Sequence, residues 1–226
     1  MPLEGDDHRG YAEPMSVTMP NLGSAGSTSE RTRARVVASA RSQFASDGYA
    51  GVSVADIALE AGVTKGAVYH HFATKKDLFL AALEDVEAEI QARSRQAAKG
   101  QRTPLARLQR GFGSYLDAVL DPEIGRISLI DAPAVLGAGK HLELSRRYAH
   151  DDVVFTLGVG LPEVDPDELD ALSSTLLGAV TSAALVLISS PTPETTRVVV
   201  GDAMDRLLRG VLGPAVADNA DRPGLA

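Results

Sequence analysis

A tyrosine and two adjacent histidines stand close together in residues 62–72, which read GVTKGAVYHHF. Imidazole and phenol groups at this density suit three kinds of chemistry: a metal site, general acid–base catalysis, or contact with a polyanion. The surrounding residues, and the elements that position them, must decide between these alternatives.

Helix geometry argues against a metal site at the histidine pair. Adjacent residues on an α-helix point about 100° apart, so His70 and His71 are poorly placed to bind one ion, for which i, i+4 spacing is needed. His141 and His150 lie far along the chain, and the sequence has no cysteine. We therefore predict no metal and no cofactor.

Catalysis by this segment also lacks support. A general base needs an orienting partner and a nearby nucleophile or substrate pocket. The segment has no Gly-x-Ser-x-Gly, phosphate-binding glycine loop, His-Glu-x-x-His or carboxylate cluster. The protein is therefore not expected to be an enzyme.

The segment does suit contact with phosphate. A helix that begins with Thr64 and Lys65 presents free N–H groups, the positive end of its dipole and an ammonium group. Gly66 and Ala67 are small enough for a close backbone approach. Further hydrogen-bond donors follow the first turn, namely Tyr69, His70, His71 and Lys75. Val68 and Phe72, four residues apart, form the expected inward face. An ordinary surface role for each histidine is the alternative.

Charge is distributed unevenly along the chain. The net charge is −8, which by itself argues against a nucleic-acid partner. Residues 30–80, however, carry seven Lys or Arg against five acids, whereas the segments on both sides are acidic. This pattern indicates a localised surface that faces an anion.

The hydrophobic pattern predicts an all-α chain of about nine helices. Ser53-x-x-Asp56, Thr64 and Thr74-x-x-Asp77 are capping signals for successive helices, and two short helices joined by a Gly-containing turn are typical of a helix-turn-helix. Asp47-Gly48 ends the helix before them, which begins near Ser27–Glu30. A Pro/Gly-rich link is predicted at residues 132–139. The predicted regions are a flexible tail (1–29), a three-helix helix-turn-helix domain (30–80), a helical domain (81–213) and a second tail (214–226).

The stretch from Phe44 to Phe79, FASDGYAGVSVADIALEAGVTKGAVYHHFATKKDLF, resembles the DNA-binding domain of the tetracycline-repressor (TetR) family. The resemblance implies phosphate contacts from Ser53, Tyr69, His71 and Lys75. It also implies that Thr64, Lys65, Gly66 and Ala67 face base edges, with His70 at backbone or base. Phe44, Ile57, Ala58, Val63, Val68 and Phe72 would form the core. Position 55, often polar or basic in the family, is alanine, which leaves Lys65 as the main candidate for reading guanine.

In this family the C-terminal two-thirds is a helical domain that dimerises and encloses a ligand. Residues 126–137, RISLIDAPAVLG, resemble a segment of some members. Aromatic and aliphatic residues of the middle helices are candidates for a ligand cavity: Phe112, Tyr115, Leu116, Tyr148 and Phe155. The last two long helices are apolar around much of their circumference, which predicts a dimer interface. Its candidates are Leu172, Leu176, Val180, Ala183, Leu187, Val199, Ala203, Leu207 and Val211.

These inferences favour a dimeric regulator, expected to be a repressor that a small molecule releases from a palindromic operator in double-stranded DNA. The alternatives are a ligand-independent or protein-partnered DNA-binding factor and, more remotely, an enzyme that uses the C-terminal cavity. The polar N-terminal segment is no export signal. The most apolar stretch, residues 176–188, has 13 residues and is too short to cross a membrane, so a cytoplasmic protein without a membrane partner is predicted.

Overall fold

The computed structural model describes residues 22–213, and all regular structure in that range is helical. The prediction of an all-α chain is therefore confirmed. The described residues form ten α-helices and one π-helical segment, two of the α-helices being a single turn. Their bounds are Leu22–Gly51 (α1), Val54–Glu60 (α2), Lys65–His71 (α3), Lys75–Ala98 (α4), Pro104–Ala118 (α5), Pro122–Gly125 (α6), Arg126–Asp131 (the π segment), Ala132–Leu136 (α7), Ala138–Gly160 (α8), Pro166–Ile188 (α9) and Pro193–Leu212 (α10).

Helices α1 to α3 form the head, which is the predicted helix-turn-helix unit. Helix α1 begins at Leu22, before the start predicted at Ser27–Glu30. Its regular geometry is interrupted at Gly48, whose φ of 74° lies in the left-handed region that glycine adopts at little cost. The interruption therefore falls where the sequence placed the end of the helix.

Two predicted boundaries fall inside helices. The boundary after residue 29 lies within α1, and the boundary after residue 80 lies within α4, which runs from the head into the C-terminal domain without a break. The remainder of the two predicted tails, residues 1–21 and 214–226, lies outside the described residues.

Side-chain caps fix the starts of α2, α3 and α4. Ser53 Oγ accepts a hydrogen bond from the Asp56 N–H over 3.2 Å, and Thr64 Oγ1 accepts one from the Ala67 N–H over 3.1 Å. Thr74 and Asp77 form a reciprocal capping box. Because each cap joins residues three apart, the local sequence was sufficient to predict all three starts.

The prediction of a link at residues 132–139 was wrong. A π segment leads directly into α7, and the chain leaves helical geometry only at Gly137, whose φ is 86°. Pro133 lies near the start of α7, directly after the π segment. Asp165 caps α9 through its side chain, whereas Thr192 makes no side-chain cap to α10.

A core continuous from the head into the C-terminal helices holds the chain together. In the head the Phe44 and Phe79 rings meet edge to face, with centroids 5.2 Å apart. Beside them the Arg41 guanidinium of α1 binds Asp85 (2.8 Å) and Glu89 of α4 and Glu123 of α6. Three carboxylates around one arginine hold α1 against α4 and α6.

Candidate nucleic-acid interface and effector cavity

Helix α3 presents one face to the core and the other to solvent. Val68 and Phe72 are 1% and 5% exposed and belong to the core, and α3 packs against α1 and α2. Tyr69, between them in sequence, is 45% exposed. The predicted division of this helix between core and surface is therefore present.

All nine predicted DNA contacts reach the surface. Six are exposed, namely Ser53, Thr64, Lys65, Gly66, Tyr69 and His70. The other three, Ala67, His71 and Lys75, are partly exposed. The Lys65 ammonium lies 5.9 Å from the centroid of the Tyr69 ring, and the His70 and His71 rings pack edge to face with centroids 5.4 Å apart. Their contact with DNA stays a prediction. Within residues 22–213, no three His, Asp or Glu side chains are grouped to hold a metal.

Lys75 occupies a defined position at the start of α4. Its ammonium lies 4.4 Å from the centroid of the Tyr49 ring, a cation–π arrangement. The Tyr49 ring in turn packs edge to face on Phe79, 5.2 Å away. Burial lowers the pKa of Lys75 and raises that of Tyr49. The predicted phosphate contact is thus held in place before any ligand arrives.

Arg33 on α1 is a surface cation that the sequence predictions did not include. Its guanidinium lies 5.2 Å from the centroid of the Phe72 ring, directly after α3. The side chain is exposed and adds positive charge next to the face with His70 and His71. The available signal was the basic series Arg31, Arg33, Arg35 in an otherwise acidic chain.

The head is joined to the C-terminal domain where α1 ends. Arg126, in the π segment, donates to the Ser46 carbonyl over 2.9 Å. Asp131, at the end of the same segment, accepts a hydrogen bond of 2.9 Å from the Tyr49 N–H. These two side chains bind the backbone on both sides of Gly48.

A cavity of about 870 Å³ lies between α4, α5, α8, α9 and the π segment. Four of the five predicted ligand residues line it: Phe112, Tyr115, Tyr148 and Phe155. Leu116 does not, because it is 1% exposed and faces a smaller cavity of about 280 Å³ between α5 and α10. Ser128 and Leu129 place the π segment in the wall of the large cavity.

Most of the cavity wall is apolar. Some of the polar groups in it have hydrogen-bond partners and others do not. Tyr115 shares a hydrogen bond with Thr181, and burial raises the pKa of its hydroxyl. Burial lowers the pKa of His141, which is hydrogen-bonded to the backbone of Ser128. Glu87 of α4 is 8% exposed, and burial raises the pKa of its carboxyl to about 7. The sequence predictions missed Glu87, although its spacing from Leu83 and Ile90 puts an acid on the buried face of α4.

The predicted dimer contacts divide into buried and exposed residues. Leu176, Val180 and Leu187 are at most 3% exposed, so they pack within the chain and cannot meet a second copy. Leu172, Ala183 and Val211 are partly exposed, and Val199, Ala203 and Leu207 are exposed. The sequence did not distinguish these groups because α9 and α10 are apolar on more than one side.

Helix α9 is longer than its apolar stretch suggested. It has 23 residues and, within the described part of the chain, is the one helix long and apolar enough to cross a membrane, with 28% of its most apolar window buried. Exposed apolar side chains occur on α9 and α10, among them Leu185, Val186, Val198, Val199 and Leu207. These apolar side chains are therefore uncovered in the single chain.

An all-α chain whose capped helix-turn-helix precedes a helical domain with a large cavity has the architecture of a DNA-binding transcription regulator. The chain belongs to the tetracycline-repressor family. Residues 36–82 match the family described as bacterial regulatory proteins, tetR family, and residues 105–211 match the tetracyclin repressor-like C-terminal domain.

A solved structure shares this architecture over most of its length. A TetR-family transcriptional regulator from Pectobacterium atrosepticum is 31% identical, with a TM-score of 0.70, over 82% of this chain and 96% of that one. The family assignment therefore extends to the C-terminal domain.

Curated relatives match part of this chain. The regulator CymR of Pseudomonas putida is 42% identical over 64 residues, 28% of this chain and 32% of that protein. The TetC protein of transposon Tn10 in Escherichia coli is 32% identical over 117 residues, 50% of this chain and 57% of that protein. The chain thus spans about a third of the length of the first relative and somewhat over half of the second.

Proposed function

We propose that this protein is a cytoplasmic transcriptional repressor that binds a palindromic operator as a homodimer and leaves it when a small molecule occupies the cavity. The observation that carries the proposal is the course of α4. This helix begins at Lys75, next to the exposed face of α3, and its later residues Glu87, Ile90 and Gln91 line the cavity. One continuous element therefore belongs to both sites.

The exposed face of α3 supports DNA binding by the head. Its first turn carries Lys65 and Gly66 at the surface, while Val68 and Phe72 fix the helix on the core. Helices held in this way insert their first turns into the major groove, and neighbouring Lys, His and Tyr side chains bind phosphate. Lys75 and Arg33 extend the cationic surface to α4 and α1.

The apolar surface on α9 and α10 supports a homodimer. A second copy related by a two-fold axis would bring the same exposed residues, among them Val199 and Leu207, against each other. Two heads related by that axis read two half-sites of a palindrome, which doubles the length of DNA that is recognised.

The cavity supports control by a small molecule rather than a ligand-independent role. Its volume is in the range of sites for drug-sized molecules, and the π segment connects its wall to the end of α1. A ligand that binds better to one arrangement of the two heads shifts the population towards that arrangement.

A mobility-shift assay on DNA flanking the protein's own gene tests the proposal. We expect a shifted band at moderate salt. An excess of the same DNA without label should abolish this band, whereas an excess of unrelated DNA should not. If both competitor DNAs abolish the shifted band equally, or if no band is shifted, the protein is not a sequence-specific repressor of this DNA. An operator complex that no molecule from a broad metabolite and drug library dissociates would favour the ligand-independent alternative.

A further inference from the structure

One acidic side chain in the cavity has no partner of opposite charge. Glu87 is 8% exposed and, within the described part of the chain, no hydrogen bond or ion pair satisfies its carboxyl. Burial alone accounts for the rise in its pKa, whereas a neighbouring Lys or Arg would have lowered it. A buried carboxyl in this condition is costly unless a ligand compensates for it.

The groups around Glu87 are aromatic or hydroxylic. Burial is the main cause of the raised pKa of the Tyr115 phenol of α5 and the Tyr148 phenol of α8. The negative charge of Glu87 adds to both shifts, at Tyr148 less than the charge of Glu84 does. The Tyr115 hydroxyl is bonded to Thr181 of α9. His141 of α8 lines the same cavity, and burial favours its neutral form. Helices α5, α8 and α9 thus bring no cation to Glu87.

Two basic residues of the cavity wall are paired with acids other than Glu87. Arg95 binds Asp152 through two hydrogen bonds of 2.6 and 3.1 Å, and Arg146 binds Asp170 over 3.0 Å. Arg107 of α5 and Lys99 also line the cavity, and among the described residues the buried Arg107 Nε has no hydrogen-bond partner. Neither side chain contributes to the pKa of Glu87. The charge of Glu87 therefore remains uncompensated.

We propose that Glu87 is the anchoring residue for a largely apolar effector with a protonated amine, whose ammonium group binds the Glu87 carboxylate among aromatic rings. An ammonium group supplies both the missing charge and the missing hydrogen-bond donors. The rings of Tyr115, Tyr148 and Phe112 line the same cavity and attract a cation through their faces. The apolar remainder of the wall accommodates a hydrocarbon or aryl body.

This inference rests on the proposed function and specifies its effector. Glu87 lies on α4, twelve positions after Lys75, so a cation that binds Glu87 acts on the helix that leads to the head. An effector with an anionic head would instead require Arg107 as its partner, and that outcome is part of the test.

Three ligands with one skeleton and different head groups test the proposal on the purified full-length protein: phenylbutylamine, phenylbutanol and phenylbutanoate. Binding is measured by titration calorimetry at pH 7. We expect the wild type to bind the amine about tenfold or more tightly than the alcohol or the acid. The Glu87→Gln variant keeps the shape of the side chain without its charge, and there the preference should fall to about twofold or less.

Glu84→Gln is the matched control. Glu84 lies one turn earlier on α4 and binds Arg147 over 3.2 Å outside the cavity wall. This variant should keep the full preference for the amine. Thermal unfolding in the absence of ligand verifies that both variants fold, and Glu87→Gln should unfold at a higher temperature than the wild type, because it removes an unpaired buried charge.

The number of protons released on amine binding provides a second test, because a residue with only a structural role would not change it. A cation next to Glu87 lowers the pKa of its carboxyl, so amine binding should release protons near pH 7, seen as heats that depend on the ionisation enthalpy of the buffer. Glu87→Gln should show no such dependence. An amine preference that survives in Glu87→Gln, or a wild type that prefers phenylbutanoate, would overturn the proposal. Neither result depends on DNA, so failure here is distinct from failure of the mobility-shift assay.

Discussion

Arg126 donates a hydrogen bond of 2.9 Å from Nη1 to the backbone carbonyl of Ser46, eighty residues earlier in the chain. The carbonyl belongs to the last regular turn of α1, and the arginine begins the π segment whose Ser128 and Leu129 line the cavity. One side chain, from a segment that also contributes to the cavity wall, therefore satisfies the end of a head helix.

Removal of this side chain should loosen the head. We expect Arg126→Ala to lower the free energy of unfolding by about 1–2 kcal/mol, because charge-assisted hydrogen bonds to the exposed Ser46 carbonyl and the partly buried Ala45 carbonyl are lost. Urea denaturation measures the change. The control is Arg102→Ala at an exposed position, which should change stability by less than about 0.5 kcal/mol. Equal stability of the two variants would show that the contact contributes nothing.

Gly48 should not tolerate a side chain. Its φ of 74° is strained for any other residue, and an added Cβ would collide with the Arg126 guanidinium. Gly48→Ala is expected to destabilise the protein by about 1–3 kcal/mol. Gly51→Ala, where the added Cβ would make only an ordinary contact of 3.5 Å with Asp47, should be neutral or slightly stabilising. Thermal unfolding of the pair separates the backbone effect from the effect of added volume.

Lys65 and Lys75 should contribute to DNA binding in different ways. Lys65→Ala is expected to reduce discrimination between the operator and a mutated operator by about 1–3 kcal/mol, because a base contact is lost. Lys75→Ala should weaken binding to both DNAs equally and reduce the salt slope of log K by about 1. Fluorescence anisotropy at several salt concentrations measures both effects. A loss of discrimination in Lys75→Ala would contradict the assignment of Lys75 to phosphate.

The exposed apolar surface of α10 should form the dimer interface. A charge at Val199, which is 62% exposed, would have to be buried against a second copy. Val199→Glu should therefore yield a monomer in light scattering coupled to size exclusion, at concentrations where the wild type is a dimer. Leu59→Glu changes a residue that is 81% exposed on the head and should remain dimeric. Retention of the dimer by Val199→Glu would place the interface elsewhere.

Glu87 should make the protein less stable as the pH rises. Its pKa is about 7 in the folded protein and near 4.5 as an ordinary glutamate, so the unfolded chain binds fewer protons between these values. The free energy of unfolding then falls from pH 4.5 to 7, by about 3 kcal/mol, and stays low above pH 7. The stability gained in Glu87→Gln should grow across this window, as urea titrations at pH 5, 6, 7 and 8 would measure. A gain that does not change with pH would contradict the raised pKa.

Features that depend on neighbouring residues were predictable from the sequence. The caps of α2, α3 and α4 join residues three positions apart, and the break at Gly48 follows from one residue type. The division of α3 into a buried and an exposed face follows from the spacing of Val68 and Phe72.

Features that depend on distant residues were not predictable. Arg126 meets Ser46 only in the folded chain, and the cation–π contact between Arg33 and Phe72 joins positions far apart in sequence. The sequence did not show which side of α9 is buried within the chain, because Leu176 and its apolar neighbours occupy most of the helix circumference. The burial of Glu87 could have been predicted from helix periodicity. Its lack of a partner could not, because it depends on which side chains three other helices place around it.

Two helices of the head make few contacts with the helices that surround the cavity. Helices α2 and α3 pack mainly on each other and on α1, whereas α4, α5, α8 and α9 surround the cavity. The two regions are therefore joined through α4 and through the contacts of α1 with Glu123, Arg126 and Asp131. A chimera that keeps residues 22–98 and takes its later helices from a relative should therefore fold as stably as the parent only if the relative supplies partners for Arg41, Ser46 and Tyr49 at the junction.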